Sequence, residues 1–337
     1  MRVLVTGATG LVGLETVEAL RLAGASEVVG VSRALSAAAG RTVAWDMAAE
    51  EPPSELRGNW DVIVHSAADT RWTMMPAEAK RANVDTVRAL EPLVGPSTHF
   101  IYVSTAYSVG LRGSVDSHDI ADYRNSYEWS KAYAERIVQS TFGEFTIVRP
   151  PLIIGRTQDG RAARFSGMYT LLRAMTASMV PVVVAEPDAY LEVAPVDAVA
   201  DVLTRAASRG GSGETLIVAG GSNAPSVETA FELMTQGLNE WREGRDLEPF
   251  DVPRLISRDS WERFFLPFVD DQLSARQKRI LELLSNFRPY LAICEPLRPT
   301  HHVDEVEAAI AAAVRYWADT EHLQASQAPR PWTAVAR

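Results

Sequence analysis

The chain has 337 residues, 47% of them hydrophobic and 23% charged, enough to bury a substantial core as one large domain or a domain with an appendage. A formal net charge of -10 argues against nucleic acid or an anionic membrane as the main partner, and the longest apolar runs, such as Val180 to Ala185, are far too short to cross a bilayer. The N-terminus enters a glycine turn rather than an apolar signal segment, so the expected location is the cytoplasm. Cys294 is the only cysteine, which leaves no intrachain disulfide and no thiolate metal site, and His301-His302 lacks helical ligand spacing and reads as a loop feature; no metal is expected.

Arg2 to Thr6 is a short β-branched and apolar run, and from Leu11 the apolar residues Leu11, Val12, Leu14, Val17, Leu20 and Leu22 fall at helical spacing. Gly7, Gly10 and Gly13 therefore lie between a strand and a helix, where Gly7 allows the tight turn, Gly10 lets backbone approach a pyrophosphate, and Gly13 lets the helix pack on the strand. This points to a dinucleotide. Gly24 ends the helix, and Glu27 to Val31 forms a second strand that closes in Ser32-Arg33. No acid stands at its tip to hold ribose hydroxyls; Arg33 suits a 2′-phosphate and favours NADPH over NADH.

Thr42 to Trp45 reads as a third strand ending in Asp46-Met47, and Asp61 to His65 as a buried fourth whose exit, Ser66-Ala67-Ala68, is small enough for a cofactor to come close. Ala79 to Leu93 reads as a helix carrying Asn83, and Thr98 to Ser104 as a fifth strand delivering Ser104 and Thr105 at its C-terminal end, where ligands of open parallel sheets bind. From Ser126 to Val138 the pattern is helical, so Tyr127 and Lys131 project from one face; an ammonium beside a phenol favours the phenolate and lowers its pKa toward working pH. Phe145 to Val148 is a sixth strand, and Pro150 and Pro151 after it remove donors and stiffen a wall suited to a nicotinamide ring. The alternation predicts an α/β, doubly wound parallel sheet of Rossmann type over residues 1–155.

Beyond Gly155 a smaller, mostly helical region is expected over 156–323, with 191–220 returning to the core and 324–337 forming a loose tail. Arg156, Arg161, Arg164 and Arg173 read either as a solvated face or as contacts for a phosphopantetheine or an acyl-carrier protein. Helices are expected over Thr229 to Trp241, Ala275 to Leu284 and Val303 to Trp317; Trp261, Phe264, Phe265, Phe268, Phe287 and Tyr290 are expected to form a cap that lines an apolar pocket, or a purely structural lid.

Thr6 to Gly13, Thr105 within Ile101 to Gly110, and Tyr127 with Lys131 together resemble the extended short-chain dehydrogenase/reductase family, over roughly the first two-thirds of the chain. Val31-Ser32-Arg33-Ala34, His65-Ser66-Ala67-Ala68, Val103 to Tyr107 and Val148-Arg149-Pro150-Pro151 look most like its fatty acyl-CoA reductase and carrier-protein thioester reductase branch. The resemblance implies Thr105, Tyr127 and Lys131 as catalytic residues. It implies NADP(H) contacts from Thr6, Gly7, Thr9, Gly10, Leu11, Val12, Gly13, Arg33, Asp46, Met47, Ala67, Ala68, Asn83, Lys131, Pro150 and Ile153, although Thr86 replaces the glycine of the family's Asn-Val-x-Gly element.

Ala106 and Tyr107 stand where sugar-nucleotide dehydratases carry an acid pair, and Leu152 to Gly155 replaces the Asn-x-Tyr-Gly of the epimerases. The expected reaction is NADPH-dependent reduction of an apolar carbonyl, an acyl thioester first, which would arrive as a CoA ester or on a separate carrier protein. A ketone or secondary-alcohol oxidoreductase is the second expectation and a non-catalytic NADP-binding regulator the third; the expected assembly is a monomer or homodimer.

Overall fold

The computed structural model describes residues 1–35, 39–177, 182–265, 267, 278, 281–282 and 284–329. Two compact units account for them: Met1–Pro151 with Val196–Val218 and Pro299–His302, and Leu152–Pro195 with Ala219–Arg298 and Val303–Arg337. The chain thus leaves the first unit at Pro151, before Gly155, and visits it a third time through Pro299–His302, a return with no sequence signal.

The first unit contains β1 (Arg2–Thr6), α1 (Leu11–Leu22), β2 (Glu27–Ser32), β3 (Thr42–Ala44), β4 (Val62–His65), α2 (Pro76–Asn83), α3 (Asp85–Arg88), β5 (His99–Val103), α4 (Ser126–Thr141) and β6 (Phe145–Arg149). After β7 (Leu152–Ile154), α5 (Met168–Thr176), β8 (Val182–Val184) and β9 (Val193–Pro195) come α6 (Val196–Arg209), β10 (Glu214–Ala219), α7 (Val227–Glu243), β11 (Arg254–Ile256), β12 (His301–His302) and α8 (Val306–Thr320).

One eight-stranded sheet runs β12-β10-β6-β5-β4-β1-β2-β3, parallel from β10 through β3. The order reverses between β1 and β4, which creates the crevice beyond their C-terminal ends where doubly wound sheets take ligands. Residues such as Val3, Leu4, Val5, Ile63 and Val64 are fully buried because helices cover both faces, and Leu4, Val29, Trp45, Ile63, Phe100, Tyr102 and Ile147 share one core with Val84, Val87, Leu90 and Val138. The His301-His302 pair, read as a loop feature, is the edge strand β12.

The helix expected over Ala79 to Leu93 is instead broken into three pieces. Pro76 starts α2 early, with the Glu78 carboxylate accepting from the Met75 N–H at 2.9 Å; Val84 separates it from α3; and Pro92 sits in the 3-10 turn Glu91–Leu93. Helix α4 starts where expected because the Asn125 side chain accepts from the Glu128 N–H at 3.0 Å.

The second unit pairs β7 with β9 and β8 with β11 in two short parallel ladders, and packs α7 closely against α8. The start of the expected loose tail is fastened: Ala325 is fully buried, and the buried Arg242 donates to the carbonyls of Ala325, Gln327 (3.2 Å) and Glu248 (2.7 Å). The rest of that tail, 330–337, lies outside the described residues, as do Phe268 and most of the helix expected over Ala275 to Leu284. Among the described residues no helix is long and apolar enough to cross a membrane, and no cluster of acidic, His or Cys side chains could hold a metal ion.

Candidate active site

The turn after β1 is built by exclusion of side chains. Gly7 has φ +69°, and a Cβ on it would lie 2.7 Å from the Ala67 N; a Cβ on Gly13 would lie 2.1 Å from the Gly7 O. Helix α1 follows its N-cap Gly10, whose N–H is taken by the Gly7 carbonyl at 2.8 Å, with no capping side chain and no acid in its first turn, so the N–H groups and positive dipole end at Leu11-Val12 fit a pyrophosphate. Thr6, fully buried at the end of β1, meets His65 Nδ1 at 2.7 Å through its hydroxyl, while its carbonyl accepts from the Ser66 hydroxyl at 2.7 Å. These bonds tie the glycine turn to the exit of β4. Thr9 is half-buried in the turn; Ala67 is half-buried and Ala68 exposed.

Arg33 lies exposed just past β2. Burial pushes the Asp69 carboxyl up, but hydrogen bonds from Arg71 and the charges of Arg71 and Arg33 outweigh it and hold the group below its ordinary range. Asp69 is paired with Arg71 at 2.7 Å. Asp46 accepts from the Ala48 N–H at 3.1 Å, and Met47 packs partly into the core of the first unit.

Asn83 is 1% exposed and spends its whole amide on the protein. It donates to the Ser130 hydroxyl (2.9 Å) and to the Asp69 carbonyl (3.0 Å), and accepts from the Asp69 N–H (2.8 Å). Both amide protons are thus engaged, so Asn83 acts as a positioning residue: it clamps the loop after β4 onto α4, and Ser130 in turn donates to the Tyr127 carbonyl at 2.7 Å.

Tyr127, Lys131 and Glu135 sit at i, i+4 and i+8 on α4, facing the end of β5. Thr105 is buried near enough to the half-buried Tyr127 for its hydroxyl to act on the phenol, and its hydroxyl oxygen accepts from the Tyr107 N–H at 3.4 Å. Ser104, the alternative hydroxyl, instead donates to the fully buried Glu135, which also pairs with Arg149, Nε to Oε1 at 2.9 Å. That assignment separates the two hydroxyls by their partners.

The electrostatics differ from the sequence expectation. Lys131 is buried, donates to the Val103 carbonyl at 2.7 Å and stands 4.2 Å over the Tyr102 ring. Burial lowers its pKa to about 7, with Glu135 acting in the opposite sense. Tyr127 is pushed above its ordinary value, first by burial and then by Glu128, while the Thr105 hydroxyl pulls the other way. The depressed phenol expected from the Tyr-x-x-x-Lys spacing is therefore absent: the ammonium is engaged with Val103 and Tyr102, and the phenol is a neutral acid at pH 7. Burial, followed by Lys131, lowers His65 to about 3, so it is neutral.

Pro150 is buried, and its carbonyl accepts from the Ala106 N–H at 2.8 Å, which fixes the turn carrying Thr105 against β6. Ile153 is half-buried on β7 and belongs to the second unit. In that unit Arg161 and Arg164 are exposed, whereas Arg173 is tied to Glu321 at 3.3 Å. The expected aromatic lining divides: Trp261, Phe287 and Tyr290 are buried, but Phe264 is 69% exposed, and the unit's apolar cavity is walled by Leu, Val, Met and Phe231 instead.

Residues the sequence reading passed over are Glu135, Ser130, Asp69 and Arg71. A buried acid eight residues after Tyr127 on the same helical face was the available signal for Glu135; the others depend on long-range pairing.

The model of a family described as male sterility protein matches residues 49–203. No curated protein matches the chain. Among solved structures, the terminal R domain of the myxalamid PKS-NRPS pathway shares 19% identity at TM-score 0.68, covering 98% of this chain and 92% of that one. The PhqB reductase domain of Penicillium fellutanum shares 19% at TM-score 0.66 (95% and 93%), and the Bordetella bronchiseptica enzyme WbmH, in complex with NAD+, 17% at 0.64 (94% and 98%). The chain thus carries the pattern of that family over residues 49–203 and shares its fold with two reductase domains and an enzyme solved with NAD+.

Proposed function

We propose that the protein reduces an acyl thioester with NADPH, giving the aldehyde or the alcohol, and that Tyr127 is the proton donor. The observation that carries this reading is the placement of Tyr127 and the buried Lys131 one turn apart on α4, with Lys131 bonded to the Val103 carbonyl at the C-terminal end of β5, where Thr105 follows. The resemblance of the chain to reductase domains, two of them among the neighbours named above, supports a carbonyl substrate.

The nicotinamide, when bound, supplies the hydride. Hydride arrival at a carbonyl carbon places negative charge on its oxygen; Thr105 donates a hydrogen bond to that oxygen and Tyr127 protonates it, and the hemithioacetal so formed breaks its C–S bond to give the aldehyde and the free thiol, a second NADPH being consumed where the aldehyde goes on to the alcohol. A phenol whose pKa lies above its ordinary value is fully protonated at neutral pH, the state a reduction needs. Lys131 holds the ribose hydroxyls. Arg33 takes the 2′-phosphate, which is the basis for NADPH over NADH. Arg161 and Arg164, exposed, are available to a pantetheine phosphate on CoA or on a separate acyl-carrier protein.

The test is NADPH oxidation by the purified chain against acyl-CoA esters of several lengths, carrier-bound acyl groups, aldehydes and ketones. Turnover of thioesters supports the reading; turnover of ketones alone replaces it with a ketone or secondary-alcohol oxidoreductase. Nucleotide binding without turnover on any substrate replaces it with a non-catalytic NADP-binding regulator.

A further inference from the structure

The second unit contains an apolar pocket with an open mouth, about 430 Å³ of atom-free space when the solvent at that mouth is included. Its walls come from α5 (Leu171, Met175), β8 (Val183), α7 (Phe231) and the segment before β12 (Leu291), and each of these side chains is buried. Among the described residues a single charged side chain, Arg288, completes the lining.

Arg288 is half-buried, with its guanidinium 5.4 Å over the ring of the buried Trp261. Among the described residues no carboxylate or carbonyl accepts a hydrogen bond from that guanidinium. Glu262, the acid whose charge reaches it, is already paired with Arg258 at 2.7 Å, and burial lowers the Arg288 pKa. A partly desolvated cation without an acceptor is costly, and an anion brought to it gains a charge-assisted hydrogen bond.

We infer that this cavity is a binding site for an unbranched aliphatic carboxylate, its chain between the apolar walls and its carboxylate on Arg288. The chemistry follows from two features of different kind among the described residues: walls that offer dispersion and desolvation to a hydrocarbon, and one guanidinium that selects an anionic end group over a neutral or cationic one. Every residue involved belongs to the second unit, so the site stands whether or not the protein reduces thioesters.

Isothermal titration of the full chain with hexanoate, heptanoate and octanoate, and with octanol and octylammonium, tests it. Affinity should rise about three- to fourfold per methylene, as burial of a CH₂ implies. Octanoate should bind at least tenfold more tightly than octanol, and octylammonium should give no heat. Arg288→Gln should weaken octanoate roughly ten- to hundredfold and leave octanol unchanged, the scale of a lost charged hydrogen bond. Ala174→Phe, which fills the cavity from α5, should abolish both; thermal unfolding of each variant checks that it folds, and loss of either fold leaves the other variant and the wild-type series to decide. No octanoate binding to the wild type at millimolar concentration, equal affinity for octanoate and octanol, or unaltered octanoate binding in a folded Arg288→Gln or Ala174→Phe protein overturns the inference.

Discussion

At the scale of single residues the site is governed by burial. Lys131 has a folded-state pKa near 7 against an ordinary 10.5, so between those values the unfolded chain holds a proton that the folded protein has released. Stability from this group therefore rises as pH climbs from about 7 toward 10, and is lowest below 7, where a buried ammonium must be carried. Thermal unfolding of wild type and Lys131→Met should show the wild type gaining on the variant across pH 7 to 9; a difference independent of pH would mean that Lys131 is not desolvated. Arg33→Ala should weaken NADPH binding by about 1.5–3 kcal/mol and leave NADH nearly untouched, as loss of a charged hydrogen bond would. Titration of both nucleotides measures it, and equal losses would remove the 2′-phosphate from Arg33. The Tyr-Lys pair was legible in the sequence because helical spacing alone puts both on one face. The direction of the tyrosine shift was not, because it depends on how deeply the phenol is buried and on Lys131 being drawn to Val103 and Tyr102.

Elements explain where that legibility ends. The glycine turn could be read from the sequence, since three glycines between a strand and a helix have few other uses, and the structure gives the reason at atomic scale. Gly13→Ala would put a methyl 2.1 Å from the Gly7 carbonyl, against backbone that cannot yield without moving the turn. Nucleotide affinity should fall by more than tenfold and the unfolding temperature by several degrees; normal NADPH binding by the Gly13→Ala variant would contradict the packing described. Strands β1 to β6 were found to within two residues at every end because each is a short apolar run bounded by polar residues. The helix expected over Ala79 to Leu93 failed because apolar periodicity runs on through Val84 and Pro92, and only backbone geometry reveals the breaks. Strand β12 had no signal at all: two histidines carry no strand pattern, and what makes them a strand is the edge offered by β10.

For the molecule as a whole, the doubly wound sheet followed from alternation of strands and helices, whereas the second unit was hard to read because its chain arrives in three separate pieces. Its exposed cations permit a test of substrate class. Arg161→Ala with Arg164→Ala should raise KM for an acyl-CoA several-fold, more at low salt where phosphate attraction is least screened, and leave a small neutral aldehyde unaffected; equal effects on both substrates would remove the phosphate contact. The central claim is that Tyr127 donates the proton in an NADPH-driven reduction, and the most direct measurement is NADPH oxidation with an acyl-CoA by wild type and Tyr127→Phe, alongside NADPH titration of each. The account predicts near-normal NADPH affinity and turnover lower by about a hundredfold or more in the variant; a Tyr127→Phe enzyme that turns over its substrate at close to the wild-type rate would contradict it.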